Sequence, residues 1–337
     1  MTLASALGNL LATPFSWITG LDMEPEGGSG REEPYEPSIS DVFVVRAMLS
    51  KALALPPELV NDVLDWAEYW PHATVKAEYE GGEKIARGGS GRPPQAEDVF
   101  LIRSLPLGFS KLPDGVSEDS WTTTEHDLRG PLEELSIDEL QHFLKSPSPL
   151  LEHPCRKIVF TLRSRDQGWG GEPGSHGTYL KSWTWFDAGF ERLCRIRDDS
   201  PSGSAPEPAL GSGSRKPPVS FEQCRLRPLS PPTLPPDDDK LFDHPLLPDP
   251  ARKVQANVVA KRQPTEHRVT WSWRDDVDPD STAAMQLEEA GRGRATGNGE
   301  FVRALRLGDT VTLWAHARFP GWINFVEKVQ IDVYWAV

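Results

Sequence analysis

The spacing of apolar positions changes once along this chain, from helical to alternating. Val42, Val45, Leu49, Ala52 and Leu53 recur at helical spacing behind Ser38 and Asp41, which read as a capping box. This predicts a helix from Ser40 to Ala54. Leu55-Pro56-Pro57-Glu58 then restarts the chain, and Pro57 suits a first helical turn, where its missing N–H costs nothing. Leu59, Val63, Trp66, Ala67 and Trp70 continue one apolar stripe up to Pro71. From Asp98 the period drops towards two. Strands are expected at Asp98–Leu105, Cys155–Ser164, Ser182–Trp185, Val254–Ala260, His267–Trp273, Phe301–Leu305, Asp309–Ala317 and Phe325–Trp335. A short helix capped by Ser136 and Glu139 interrupts them. The pattern predicts a mostly β fold, an antiparallel β-sandwich of jelly-roll-like character preceded by a small helical hairpin.

The punctuation divides the chain further. Residues 1–37 are expected to be a flexible N-terminal segment, with Leu3, Leu7 and Leu10 on one face of a short helix. The hairpin occupies 38–75. The Gly- and Pro-rich stretch 80–96 reads as disordered. The sandwich is expected in two parts, 97–197 and 251–337. Between them, 198–250 is rich in Pro, Ser and Asp and reads as a disordered insertion. Residues 275–299 read as an acidic, then Gly/Arg-rich, loop.

Charge and cysteine content narrow the function classes. The formal net charge of −14 lies wholly in residues 1–150, which carry 25 acidic and 11 basic side chains. A chain of this balance does not track nucleic-acid phosphates by bulk charge. Cys155, Cys194 and Cys224 are the only cysteines, an odd number without metal-site spacing, which fits a reducing compartment and a cytoplasmic or nuclear location. The first Lys or Arg is Arg31, so the apolar start lacks the basic region of a signal peptide, and no run is long enough for a membrane span.

Candidate chemistry gathers where two strands end. Arg163, Arg165, Asp166, Gln167 and Trp169 follow one strand, and Arg318, Trp322 and Asn324 follow another. Sandwich end loops are where a rigid frame presents binding groups. Together these residues would give an aromatic floor with guanidinium walls, suited to a sugar, a carboxylate or a phosphorylated side chain. A structural brace of Arg–Asp pairs and Gly–Trp packing is the alternative. Trp183, Trp185, Trp271, Trp273, Trp314 and Trp335 lie in predicted strands and are expected in the core. Scattered histidines (His176, His267, His316) and absent Cys pairs predict no metal site and no cofactor. Glu172, Asp187 and Glu191 offer carboxylates for glycoside hydrolysis without a fixed separation. No nucleophile elbow or phosphate loop occurs, so an enzyme is not the favoured class.

Two resemblances add to this reading. Leu55-Pro56-Pro57-Glu58-Leu59-Val60 followed by Val63-Leu64 resembles the opening of an F-box, the helical module that docks onto the Skp1 adaptor of ubiquitin ligases. It implies a protein partner held by Leu55, Pro56, Leu59 and Val63. The blocks Asp166–Gly171, Ser182–Phe186 and Ala317–Trp322 resemble those of a family of uncharacterised fungal proteins. That resemblance implies a fungal intracellular source and brings no activity. The expected function is a non-enzymatic adaptor whose end loops recognise a protein or small polar ligand. A carbohydrate-binding or hydrolase-like sandwich and a purely structural scaffold are the alternatives.

Overall fold

A computed structural model describes residues 35–79, 83–89, 97–125, 131–144, 151–197, 219–238 and 240–337. The expected helix at Leu3–Leu10 lies outside them. The chain forms two compact units, Met1–Trp70 and Pro71–Val337.

The first unit holds helices α1 (Ile39–Ala52) and α2 (Pro57–Trp66). Ser38 caps α1 as the sequence predicts: Asp41 N donates to its hydroxyl, and Ser38 N donates to the Asp41 carboxylate. Arg46 Nη2 donates to Asn61 Oδ1 at 3.0 Å and ties the two helices together. The apolar stripe of α2 is not its buried face. Val60 and Leu64 are buried, whereas Leu59, Val63 and Trp66 are exposed. Both sets have helical spacing, so periodicity alone could not choose between them.

The second unit is mostly β, two antiparallel sheets in a sandwich-like arrangement. One sheet runs β1 (His72–Glu78), β11 (Ile323–Trp335), β5 (Cys155–Arg165), β9 (Thr265–Ser272), with β2 (Lys84–Arg87) also on β11. The other runs β3 (Asp98–Arg103), β10 (Asp309–Ala317), β6 (Thr184–Ile196), β4 (Leu132–Glu134). Along β6, β7 (Cys224–Ser230) and β8 (Lys253–Ala256) pair as well. Every residue of β10 is buried, because it is central to its sheet and covered on both faces. That explains a run where Asp309, Thr310, Thr312 and His316 sit inside among Val311, Leu313 and Trp314. Short helices decorate the sheets: α3 (Glu118–Thr123), α4 (Ile137–Phe143), α5 (Thr282–Glu289) and α6 (Glu300–Ala304). The Ser136–Glu139 capping box on α4 forms as expected. No described helix is long and apolar enough to cross a membrane.

Four expectations need correction. The described part of 80–96 is not disordered but holds β2, paired with the start of β11. Phe301–Ala304 belongs to α6, with Leu305 as its C-cap, and not to a strand. Its apolar residues suit either period, and the helix lets Phe301 meet the rings of Phe190 and Trp271 at 5.8 and 5.0 Å. The 275–299 stretch contains α5, capped by Ser281, whose hydroxyl accepts from Ala284 N. Within 198–250, the described part contributes β7, whose burial alternates strictly. Pro228 and the flanking prolines mask that alternation in the sequence.

One buried ion pair ties decoration to frame. Arg103 on β3 is fully buried, pairs with Glu191 of β6, and donates through Nη1 to the carbonyls of Trp121 and Thr124 at 2.6 and 2.9 Å. The carboxylate of Glu191 is thereby committed. Glu172 is exposed and paired with Lys181, so each acid in the expected hydrolytic set beside Asp187 has a different neighbour.

Candidate functional site

The strand-end loops do meet. Asp166, directly after β5, is fully buried, and its carboxylate accepts from Gly168 N (2.8 Å), Ala260 N (2.6 Å) and Lys261 N (3.2 Å). Burial pushes its pKa up, and the three backbone donors oppose the rise. Gly168 has φ +80°, and a Cβ there would lie 2.3 Å from Arg262 Cγ, so the turn requires glycine. Gln167 bridges the two loops. Its Oε1 accepts from Ile323 N at 3.2 Å, and its Nε2 donates to Trp169 O at 2.7 Å.

Beneath the loops, amides lock one sheet to the other. Asn324 Nδ2 donates to the carbonyls of Trp185 (3.1 Å) and His316 (3.3 Å), and its Oδ1 accepts from Asn257 Nδ2 at 2.9 Å. Ser164 Oγ donates to Asn257 Oδ1 at 2.7 Å. Ser164, Asn257 and Asn324 are all at most 1% exposed. Arg318 is buried too, with its guanidinium 5.3 Å from the Trp185 ring centre. Nη2 donates to Asp98 Oδ1 (2.6 Å) and Pro245 O (2.9 Å), and Nη1 to Ala317 O (3.1 Å) and Glu97 O (3.2 Å).

The remaining expected residues are placed differently. Arg165 is half-buried, bonded to Glu83 through Nη2 at 2.7 Å and lying 4.0 Å over the Phe325 ring. Arg163 is exposed and pairs with Glu327 at 2.7 Å. Trp322 is half-buried. Trp169 is 58% exposed, and Phe319, whose ring meets Trp183 edge-on at 4.6 Å, is 42% exposed. The corner is thus a satisfied polar frame carrying outward aromatic rings. Of the core tryptophans expected, Trp185, Trp271, Trp314 and Trp335 are buried, and Trp183 and Trp273 are half-buried. On the hairpin, Leu55 is half-buried and Pro56 is exposed at the start of α2, with Leu59 and Val63 exposed beyond it.

Arg318 leads to a second constellation that the sequence did not indicate. Asp98 of β3, His316 of β10 and His244 of the β7–β8 connection bring one ligand atom each within 4.8 Å of one another. His316 Nδ1 lies 2.7 Å from Asp98 Oδ1, and its Nε2 lies 3.4 Å from Asp187 Oδ2 on β6. The His244 ring is 4.7 Å from Trp314 and 5.2 Å from His316, centre to centre. A cavity of about 40 Å³ opens here, lined by Asp187, Ser230, His244, Trp314 and His316 among others. Among the described residues, Nε2 of His244 and Nε2 of His316 have no hydrogen-bond partner.

Electrostatics follow from burial and neighbours. Burial pushes His244 down to about 3, and the adjacent His316 adds to the fall, so the imidazole is neutral at pH 7. Burial opposes ionisation of Asp98, but the hydrogen bond and charge of His316, aided by His244 and Arg318, outweigh it and hold the carboxyl below its usual range. Burial pushes Asp187 up.

No family profile, curated protein or solved structure matches this chain. The site therefore has to be read from its own geometry. The sequence singled out Arg318 and missed Asp98 and His244. The available signal was a titratable residue inside an apolar strand: His316 in Leu313-Trp314-Ala315-His316-Ala317 and Asp187 in Trp185-Phe186-Asp187-Ala188.

Proposed function

We propose that this chain is a non-enzymatic adaptor with two contact surfaces. The corner formed by loops 166–171 and 318–323 recognises the ligand, and α2 docks onto a helical adaptor of the Skp1 kind. The observation that carries the reading is the corner itself. Asp166, Arg318 and Asn324 are consumed in bracing, while Trp169 and Phe319 face outward on that rigid frame. Rigid, exposed aromatic rings are the residues that anchor interfaces, because they contribute large contact area at little entropic cost. For the hairpin, support comes from Leu59 and Val63, apolar side chains 49% and 41% exposed on one helix.

Binding of the purified full chain to purified Skp1, followed by calorimetry, tests the adaptor half. Saturable binding that Leu59→Asp and Val63→Asp abolish is expected. Absence of binding removes this half and leaves the corner standing. A second reading, a carbohydrate platform, draws on the same exposed rings, since sugars stack on aromatic faces. A glycan array with a Trp169→Ala control tests it, and no signal from the wild-type chain eliminates it.

A further inference from the structure

We propose that Asp98, His244 and His316 form a binding site for a divalent d-block cation, with the neighbouring cavity supplying a position for water. The donor set is two imidazoles and one carboxylate, which suits zinc and its first-row neighbours rather than calcium or magnesium. Three strands of argument converge on it.

The first is position. The three residues come from β3, β10 and a loop, yet their ligand atoms lie within 4.8 Å of each other. The second is the support around them. His316 faces Asp98 through Nδ1 and Asp187 through Nε2. An imidazole that ligates through one nitrogen and donates through the other to a carboxylate is the usual outer support of a metal-bound histidine. When the cation replaces the N–H···O contact to Asp98, the ring proton resides on Nε2, where Asp187 accepts it. Arg318 Nη2, at 2.6 Å from Asp98 Oδ1, orients the carboxylate, as hydrogen bonds to ligating carboxylates do. The third is the lack of protein partners. The buried Nε2 of His244 makes no hydrogen bond among the described residues, whereas Nε2 of His316 has the Asp187 carboxylate at 3.4 Å. Buried polar atoms left this way cost free energy unless something outside the chain satisfies them. The adjoining cavity of about 40 Å³ has room for water as a fourth ligand. This site is independent of the adaptor reading, since neither Trp169 nor α2 takes part in it.

The test uses the untagged full chain, stripped with a chelator and titrated with Zn²⁺ and Co²⁺. One equivalent is expected to bind with saturation and to raise the melting temperature. His244→Gln, at a half-buried position facing the cavity, is expected to weaken binding at least tenfold. Asp187→Asn is expected to weaken it roughly 10- to 100-fold through loss of the outer support. His176→Gln, on an exposed loop, is expected to change nothing. Imidazole ¹⁵N spectra of the wild-type chain count the ligands without any substitution, and two rings should shift on adding Zn²⁺. The proposal is overturned if no one-to-one binding occurs, if His244→Gln binds like the wild type, or if the shifted rings are not those of His244 and His316. Each of these results would leave the cluster as an ion network in which His316 bridges two aspartates.

Discussion

The corner around Asn324 and the centre around His316 lie on strands consecutive in the chain but in opposite sheets, and both bury polar groups under the same sandwich end. They differ in how those groups are satisfied. In the corner, Asp166 accepts three backbone donors, and Asn324 and Arg318 direct their donors to carbonyls and carboxylates of the chain. In the centre, the buried Nε2 of His244 borders a cavity without a partner among the described residues. Buried polar groups that close on themselves hold loops in place. Those that leave valence open are where a ligand gains the most. The contrast separates a brace from a site more sharply than residue type does, since both regions contain charged and aromatic side chains.

The largest expected effect comes from opening the brace. Arg318→Ala takes the guanidinium from the half-buried Asp98 carboxylate, which keeps only His316, and leaves three backbone carbonyls without their donor, and loss of about 3–5 kcal/mol is expected from denaturant unfolding. A loss under about 1 kcal/mol would mean that the guanidinium is not structural. Asn324→Ala removes donors to Trp185 O and His316 O and takes from Asn257 Nδ2 one of its two acceptors, leaving Thr184 Oγ1 at 3.1 Å, for an expected loss of about 1–3 kcal/mol. If the two losses were reversed in size, hydrogen bonding between the sheets would outrank the ion pair.

Much of the fold was legible because its elements obey one period. Both capping boxes, the two strands β10 and β11, and β5 were readable from spacing alone. The corner was half legible: dense Gly and Trp marked it, but burial alone shows that Arg318 and Asn324 point inward while Trp169 points out. The centre was hidden, since Asp98, His244 and His316 share no local spacing: Asp98 and His316 meet through the pairing of β3 with β10, and His244 reaches them from a loop. His244 also sits in a proline-rich segment whose composition reads as loop, although β7 precedes it in the sheet. Side-chain period reports which face a residue takes within its own element. It carries no information on which distant element will oppose it.

A smaller effect, of pH, extends the comparison to a third, half-buried group. His267 on β9 is pushed down to about 4 by burial, and its Nε2 lies 2.9 Å from the Tyr179 hydroxyl. Between the ordinary histidine value near 6.5 and about 4, the unfolded chain binds a proton that the folded chain does not. Stability contributed by this group is therefore complete above pH 6.5 and is lost as pH falls towards 4. The slope is at most about 1.4 kcal/mol per pH unit. His267→Gln should flatten that slope in urea titrations run at intervals from pH 7 to pH 4. An unchanged slope would assign the acid sensitivity to other groups.

The smallest expected change in stability is at Trp169, and it is the most diagnostic for function. The ring is 58% exposed, and its backbone carbonyl, not its side chain, accepts from Gln167. Trp169→Ala should therefore move stability by less than about 0.5 kcal/mol, as surface substitutions do. Gln167→Ala, by contrast, breaks the bond to Ile323 N and should loosen the loop measurably by amide hydrogen exchange at Ile323. If Trp169→Ala proved as costly as Asn324→Ala, the ring would be part of the brace, and the recognition surface would have to be sought elsewhere. If it cost nothing while Gln167→Ala freed Ile323, the frame and the surface it carries would be separable, as recognition by a rigid aromatic corner requires.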